Sequence, residues 1–262
     1  MDNNYTNQNL YNDKMDYNNR NNQECYNDNE EEEKKEEINK YMQEIRLGFV
    51  RKVLGIVCAQ LFLTALISLM CMLSQSFLSF IINNITLIKF SLILLLIVFI
   101  FSQCLCPALC RKVPYNYIML LLITLLVSLL VGLICAISNP VNVCIAVCIT
   151  FIMVLGLTLY AVFTDHDLTI ANSFFLLICI AMLLALIAFI VSPLNSFFLI
   201  ILFLLNGIIL GAYIVYDIQL IVGNKHYAFS IDDYVSAAIS LYLDIINLFL
   251  FILRLLNIFN NN

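Results

Sequence analysis

Residues 230–259 read SIDDYVSAAISLYLDIINLFLFILRLLNIF, an apolar stretch long enough to cross a bilayer with a carboxylate, Asp244, in its middle. A charge near the centre of a membrane helix costs about 2.5–3.5 kcal/mol on insertion scales. Something must offset that cost, which makes Asp244 a candidate functional residue. Asp233, Ser240, Asp244, Asn247 and Arg254 follow one another at intervals of 7, 4, 3 and 7, along one helical face. The opposite side is Leu, Ile and Phe. A lipid-facing helix would not carry such a seam, so this one is expected inside a bundle.

The second acid is Asp217, near the end of the preceding apolar run, in YIVYDIQLIVG. A short connection through Gly223, Asn224, Lys225 and His226 leads to a Ser230-x-x-Asp233 capping pattern, so the two helices are antiparallel neighbours. Asn206, Tyr213 and Asp217 share a face at spacings of 7 and 4. Two neighbouring helices thus each carry a polar stripe. The plainer reading is two separately satisfied residues that merely orient helices. Register is the difficulty: Asp244 lies about 20 Å along its helix from Ile231, and Asp217 only about 9 Å back from Gly223. The acids meet if the first turns of the last helix project out of the membrane.

Composition sets the class. Hydrophobic residues make up 62% of the 262, far above a soluble domain, which indicates a polytopic membrane protein. Residues 1–52 hold 8 of the 13 Lys and Arg and 12 of the 18 Asp and Glu, so the net charge of −5 is mostly theirs. Membrane lipids are the implied surroundings, and no basic patch calls for nucleic acid. The first apolar run starts around Leu47, too late for a signal peptide, and is expected to serve as the insertion signal. Residues 1–44 form an Asn-rich, acidic segment with few apolar side chains, expected to be a disordered cytosolic tail. Residues 45–262 form the membrane domain.

Seven apolar runs follow: Val53–Leu73, Thr86–Cys106, Tyr117–Ile137, Val141–Phe163, Ile170–Val191, Ser196–Tyr216 and Tyr234–Ile258. Each is near the ~20 residues of a spanning helix. The fold class is therefore all-α, a bundle of seven transmembrane helices joined by short turns at Asn83-Asn84, Pro107, Asn139-Pro140 and Ser192–Asn195. Arg46, Arg51, Lys52, Arg111, Lys112 and Lys225 fall on one side and Lys89 and Arg254 near the other, which puts the N-terminus in the cytosol. Gly207-x-x-x-Gly211 and Ser128-x-x-x-Gly132 are small-residue pairs that let helices approach closely.

Other motifs carry less. Cys104-x-Cys106-x-x-x-Cys110 has no His at zinc spacing, and a structural zinc site needs four ligands. Asp165-His166-Asp167 reads as a solvated loop in which Asp167 or Thr169 caps the next helix. The ten cysteines show no disulfide framework and read mostly as small apolar residues. No cofactor motif, glycine-rich phosphate loop or metalloprotease signature occurs.

YDIQLIVGNKH around Asp217, SLYLDIIN from Ser240 to Asn247, and the SPLNS turn at 192–196 together resemble the Bax inhibitor family of membrane proteins. IRLGFVRKVLGIVCAQL from Ile45 to Leu61, Val113-Pro114-Tyr115-Asn116 and Thr164–Thr169 are similar to its lifeguard branch. The resemblance implies a seven-helix fold with a central C-terminal helix, an intracellular membrane such as endoplasmic reticulum or Golgi, and suppression of cell death. It also implies a calcium leak in which Asp217 and Asp244 sense protons, bind calcium transiently and gate the pore. Arg111 is the nearest match to an arginine that holds the acid pair; Tyr213, Ser240 and Asn247 are candidate supporting residues. The tail is not Pro- and Gly-rich as in that branch, and Asp165 stands where the branch has Lys.

Two rival classes bear on the same residues. An intramembrane aspartyl protease also uses two membrane acids, the first preceded by Tyr as in Tyr216-Asp217. Its second acid lies in Gly-x-Gly-Asp, whereas Asp244 follows Tyr-Leu, and the chain's Pro107-Ala108-Leu109 precedes both acids. A non-conducting adaptor working through other membrane proteins would use a polar seam for packing alone.

Overall fold

The computed structural model describes residues 3–91, 93–94, 97, 114–164, 166–168, 196–223 and 228–260, with side chains described from residue 34 onward except at 196–204 and 260. Among the described residues every regular element is a helix: α1 (Asn3–Leu73), α2 (Gln75–Asn83), α3 (Tyr115–Ile137), α4 (Pro140–Phe163), α5 (Ser196–Val222) and α6 (Tyr234–Asn260), the last preceded by a 3-10 turn at Ile231–Asp233. Five described stretches are long and apolar enough to cross a membrane: Lys34–Leu73, Tyr115–Ile137, Pro140–Phe163, Leu205–Val222 and Ile231–Phe259. The fifth expected run, Ile170–Val191, and most of the second, Thr86–Cys106, lie outside the described residues.

The chain divides into two units, Met1–Gly48 and Phe49–Asn262. In the first, the stretch expected to be disordered is written as helix from Asn3. Glu30 and Glu31 precede Lys34 and Lys35 by four residues, an arrangement that supports a helix by a few tenths of a kcal/mol per pair. In the second unit, Phe49, Val53, Val57, Gln60, Thr64, Ser68 and Cys71 are the buried stripe of α1, at intervals of 4, 4, 3, 4, 4 and 3. Leu54, Phe62, Leu66, Leu69 and Met70 point outward, as expected of a helix in lipid.

The connection expected after Leu73 is itself helical. The Ser74 hydroxyl accepts from Phe77 N at 3.3 Å and starts α2, and the Asn84 side chain donates to Phe80 O at 2.8 Å where α2 ends. Helix resumes over 85–91. Ile81 and Ile88 then bury against Cys71 and the Leu126–Leu133 side of α3. Asn139 accepts from Val141 N at 3.0 Å and Pro140 opens α4, so the turn between α3 and α4 is short, as its sequence indicates.

The core follows α6, the most deeply buried of the five spans, which packs against α3, α4 and α5. Ala237, Ala238, Ile239, Tyr242, Leu248 and Leu253 are fully enclosed. Lipid is as apolar as leucine, so close packing and hydrogen bonds must hold such helices together. Both small-residue pairs serve that purpose. A Cβ at Gly207 would lie 2.6 Å from Phe251 Cζ, and one at Gly132 would lie 2.5 Å from Cys71 Sγ and 3.3 Å from Ser68 Cα. Gly207 therefore seats a ring of α6, and Gly132 seats the backbone of α1. Ser128 is fully buried one turn before Gly132.

Candidate functional site

α5 ends because Gly223 takes φ 75°, a conformation free of strain for glycine, and donates its N–H to Gln219 O at 2.9 Å. Phe229 N donates to Leu220 O at 3.1 Å, closing the connection, and Asp233 N donates to Ser230 O at 3.0 Å in the 3-10 turn. The expected Ser230 side-chain cap does not form; the 3-10 turn takes its place. The chain thus reverses and runs α6 back along α5.

This register decides which residues meet. Ser240, not Asp244, is the direct partner of Asp217, its hydroxyl hydrogen-bonded to the carboxyl. Asp244 sits one turn deeper on α6, within range of the Asp217 charge. The offset between the acids was visible in the helix lengths, and it sets Ser240 opposite Asp217. Asp217 is 4% exposed, and among the described residues its Oδ2 has no hydrogen-bond partner. Asp244 and Ser240 are half-buried.

Tyr213 lies one turn before Asp217, half-buried. Asn247, three residues after Asp244, is exposed. Arg111 lies outside the described residues, as do Cys104, Cys106 and Cys110. Arg254 is exposed near the other end of α6. Among the described residues no group of three or more His, Cys, Asp or Glu gathers to hold a metal. Cys71 and Cys135 are buried free thiols.

Several polar residues of the bundle escaped the sequence reading. The side of α6 expected to be wholly Leu, Ile and Phe also carries Tyr242, whose hydroxyl meets Thr64 Oγ1 of α1 at 2.9 Å. One turn away, Gln60 Nε2 donates to Thr124 Oγ1 of α3 at 2.8 Å. The 60, 64, 68 spacing of polar residues in the first apolar run was the available signal. At the end of the bundle nearest the start of α6, Asn116 Nδ2 donates to Tyr234 Oη at 3.1 Å, and Lys52 Nζ lies 3.2 Å from the centre of the Tyr234 ring. At the other end Asn142 Nδ2 donates to Asn257 Oδ1 at 2.8 Å, and Asn257 Nδ2 donates to Ser138 Oγ at 3.0 Å. Gln219, two residues after Asp217, is 1% exposed and also went unread.

The chain matches the family described as "Inhibitor of apoptosis-promoting Bax1" over residues 46–261. It is 27% identical to Protein lifeguard 3 of Homo sapiens over 220 residues, 82% of this chain and 70% of that protein. Against Protein LIFEGUARD 2 of Arabidopsis thaliana the identity is 33% over 217 residues, 81% of this chain and 88% of the relative. Protein LIFEGUARD 3 of the same plant is 34% identical over 220 residues, 81% of this chain and 85% of its own length. The match takes in every element from the buried stripe of α1 to α6, including both acids. The chain belongs to the Bax inhibitor family of multi-pass membrane proteins.

Proposed function

We propose that this protein is a pH-sensitive calcium leak channel of an intracellular membrane, endoplasmic reticulum or Golgi, that tunes calcium stores and so suppresses cell death. The observation that carries the reading is Asp217: nearly inaccessible, one oxygen without a partner among the described residues, and Asp244 within range of its charge, one turn past Ser240. A carboxyl pair with so few partners needs a counter-charge, and a proton or a cation can each supply it. Calcium takes six to eight oxygens at roughly 2.3–2.6 Å. Two carboxyls and the Ser240 hydroxyl offer fewer, which suits an ion in passage better than a resident one. Membership of a family described as an inhibitor of apoptosis-promoting Bax1 supports the cell-death role.

The same reading includes seven spans, with the second and fifth apolar runs completing the bundle, a cytosolic N-terminus, and Arg111 on the side of the Lys225 connection. Arg111 is then a third source of counter-charge for the pair.

The test uses full-length protein in calcium-loaded vesicles, with efflux followed over roughly pH 5 to 8. Wild type is expected to leak with a pH-dependent rate, and Asp217→Asn and Asp244→Asn each to flatten that dependence. Absence of leak at any pH would favour the adaptor reading. Cleavage of a reporter peptide in the same vesicles would identify a protease.

A further inference from the structure

Gln219 is buried, and among the described residues its amide hydrogen-bonds to backbone alone. It spends both polar atoms on one strand of backbone between the fourth and fifth apolar runs. Its Nε2 donates to His166 O at 2.9 Å, and its Oε1 accepts from Leu168 N at 2.9 Å. A primary amide matches the donor and acceptor of an extended backbone, so the two bonds hold residues 166–168 in place and orientation. Within that segment His166 is exposed while Leu168 packs against the core. Gln219 also accepts the Gly223 N–H on its carbonyl, so the clamp sits in the last turn of α5. Asp217 is two residues earlier on the same helix.

We propose that Gln219 is a positioning residue that makes residues 166–168 move as one body with the Asp217 end of α5, so that a change at the acid pair is passed to this connection. The readout below rests on the reading of Asp217 as the switch. A helix turn is stiff over two residues, so a shift at Asp217 carries Gln219 with it. The clamp has two bonds at fixed spacing, so it transmits rotation as well as displacement. Among the described residues, the titratable groups that interact with Asp217 are Asp244 on α6 and Tyr216 on its own helix; the segment adds His166 and Asp167.

The experiment is backbone hydrogen exchange of the full-length protein in lipid nanodiscs, following the Leu168 amide, with the buried amide of Val127 on α3 as reference. In wild type the Leu168 amide is expected to be protected, and its protection relative to Val127 to change across the pH range of the leak. Gln219→Leu should speed Leu168 exchange by about tenfold, the loss of one hydrogen bond. Gln219→Glu keeps an acceptor for Leu168 N–H and should restore protection. Asp217→Asn should leave Leu168 protected but remove its response to pH. His166→Gln, which keeps the His166 carbonyl, should leave that response intact.

Leu168 exchange unaffected by Gln219→Leu, or a pH response that survives Asp217→Asn, overturns the coupling. The two proposals fail separately. A Leu168 amide that follows Asp217 in a protein that leaks no calcium supports the coupling and sinks the channel. A pH-dependent leak beside a Leu168 amide indifferent to Asp217→Asn sinks the coupling alone.

Discussion

Tyr242 donates its hydroxyl proton to Thr64, and not the reverse. Thr64 Oγ1 lies 2.8 Å from Gln60 O, an acceptor only, so the Thr64 proton is already spent within α1. The 2.9 Å contact to Tyr242 must then be filled by the phenol. Tyr242→Phe should remove that bond and leave packing intact, at a cost of about 0.5–1.5 kcal/mol. Thr64→Val removes the same bond, so the double variant should unfold close to either single one in a thermal melt in detergent. Additive losses would mean the two hydroxyls act apart.

Gly207→Ala sets two effects against each other. Alanine favours a helix over glycine by about 1 kcal/mol. The new methyl, however, meets Phe251 Cζ at 2.6 Å, and overpacking costs about 1–3 kcal/mol. The single variant should therefore be less stable than wild type. In a Phe251→Leu background the same change should become stabilising, because the ring that blocked it is gone. Chemical unfolding of the four proteins reads the sign directly.

The acid pair should behave as one unit in flux. Asp217→Asn and Asp244→Asn each remove one carboxyl from the proposed site. The double variant should have the same flat pH profile as either single variant, because residues in one network are not additive. A double variant that loses twice as much would assign the acids to separate sites.

Arg254 lies ten residues beyond Asp244, about 15 Å along the helix, and is exposed. Its charge belongs to the far interface rather than to the acids. Arg254→Lys should keep expression, melting temperature and calcium leak within about twofold of wild type. A loss as deep as that of Asp244→Asn would bring Arg254 into the site.

With the seven spans proposed above, tags at the two ends should fall on opposite sides of the membrane. In sealed organelles a protease outside should remove the N-terminal tag and spare the C-terminal one. Digestion of both would reduce the spans to an even number.

How much of this was written in the sequence differs from residue to residue. Asp217, Ser240 and Asp244 were legible because a charge in an apolar run is costly and stands out at helical spacing. Gly207 and Gly132 were legible as close contacts, though not which atoms would fill them. Tyr242 was not, since tyrosine is apolar enough to pass unnoticed among Leu and Ile. Its partner Thr64 is equally quiet, and only the fold brings residues 178 apart together. Gln219 was hidden by its neighbour Asp217, which drew the attention of the helix end. The α2 helix was missed because Asn83-Asn84 reads as a turn, and it is one, but only after nine helical residues.

The central position of α6 also governs how the protein is made. It leaves the ribosome after all the helices that it packs against. Until then Thr64, Asn142 and Asp217 wait without Tyr242, Asn257 and Ser240, each a polar group in a membrane that offers no water. The earlier helices already meet in part, α4 on α5 and α3 on α1, but these three polar groups stay without their α6 partners until α6 arrives. Completion of the polar core is thus held to the end of translation, and until then the partly packed chain carries polar groups short of partners. A chain stopped before residue 234 would stay in that state and be cleared.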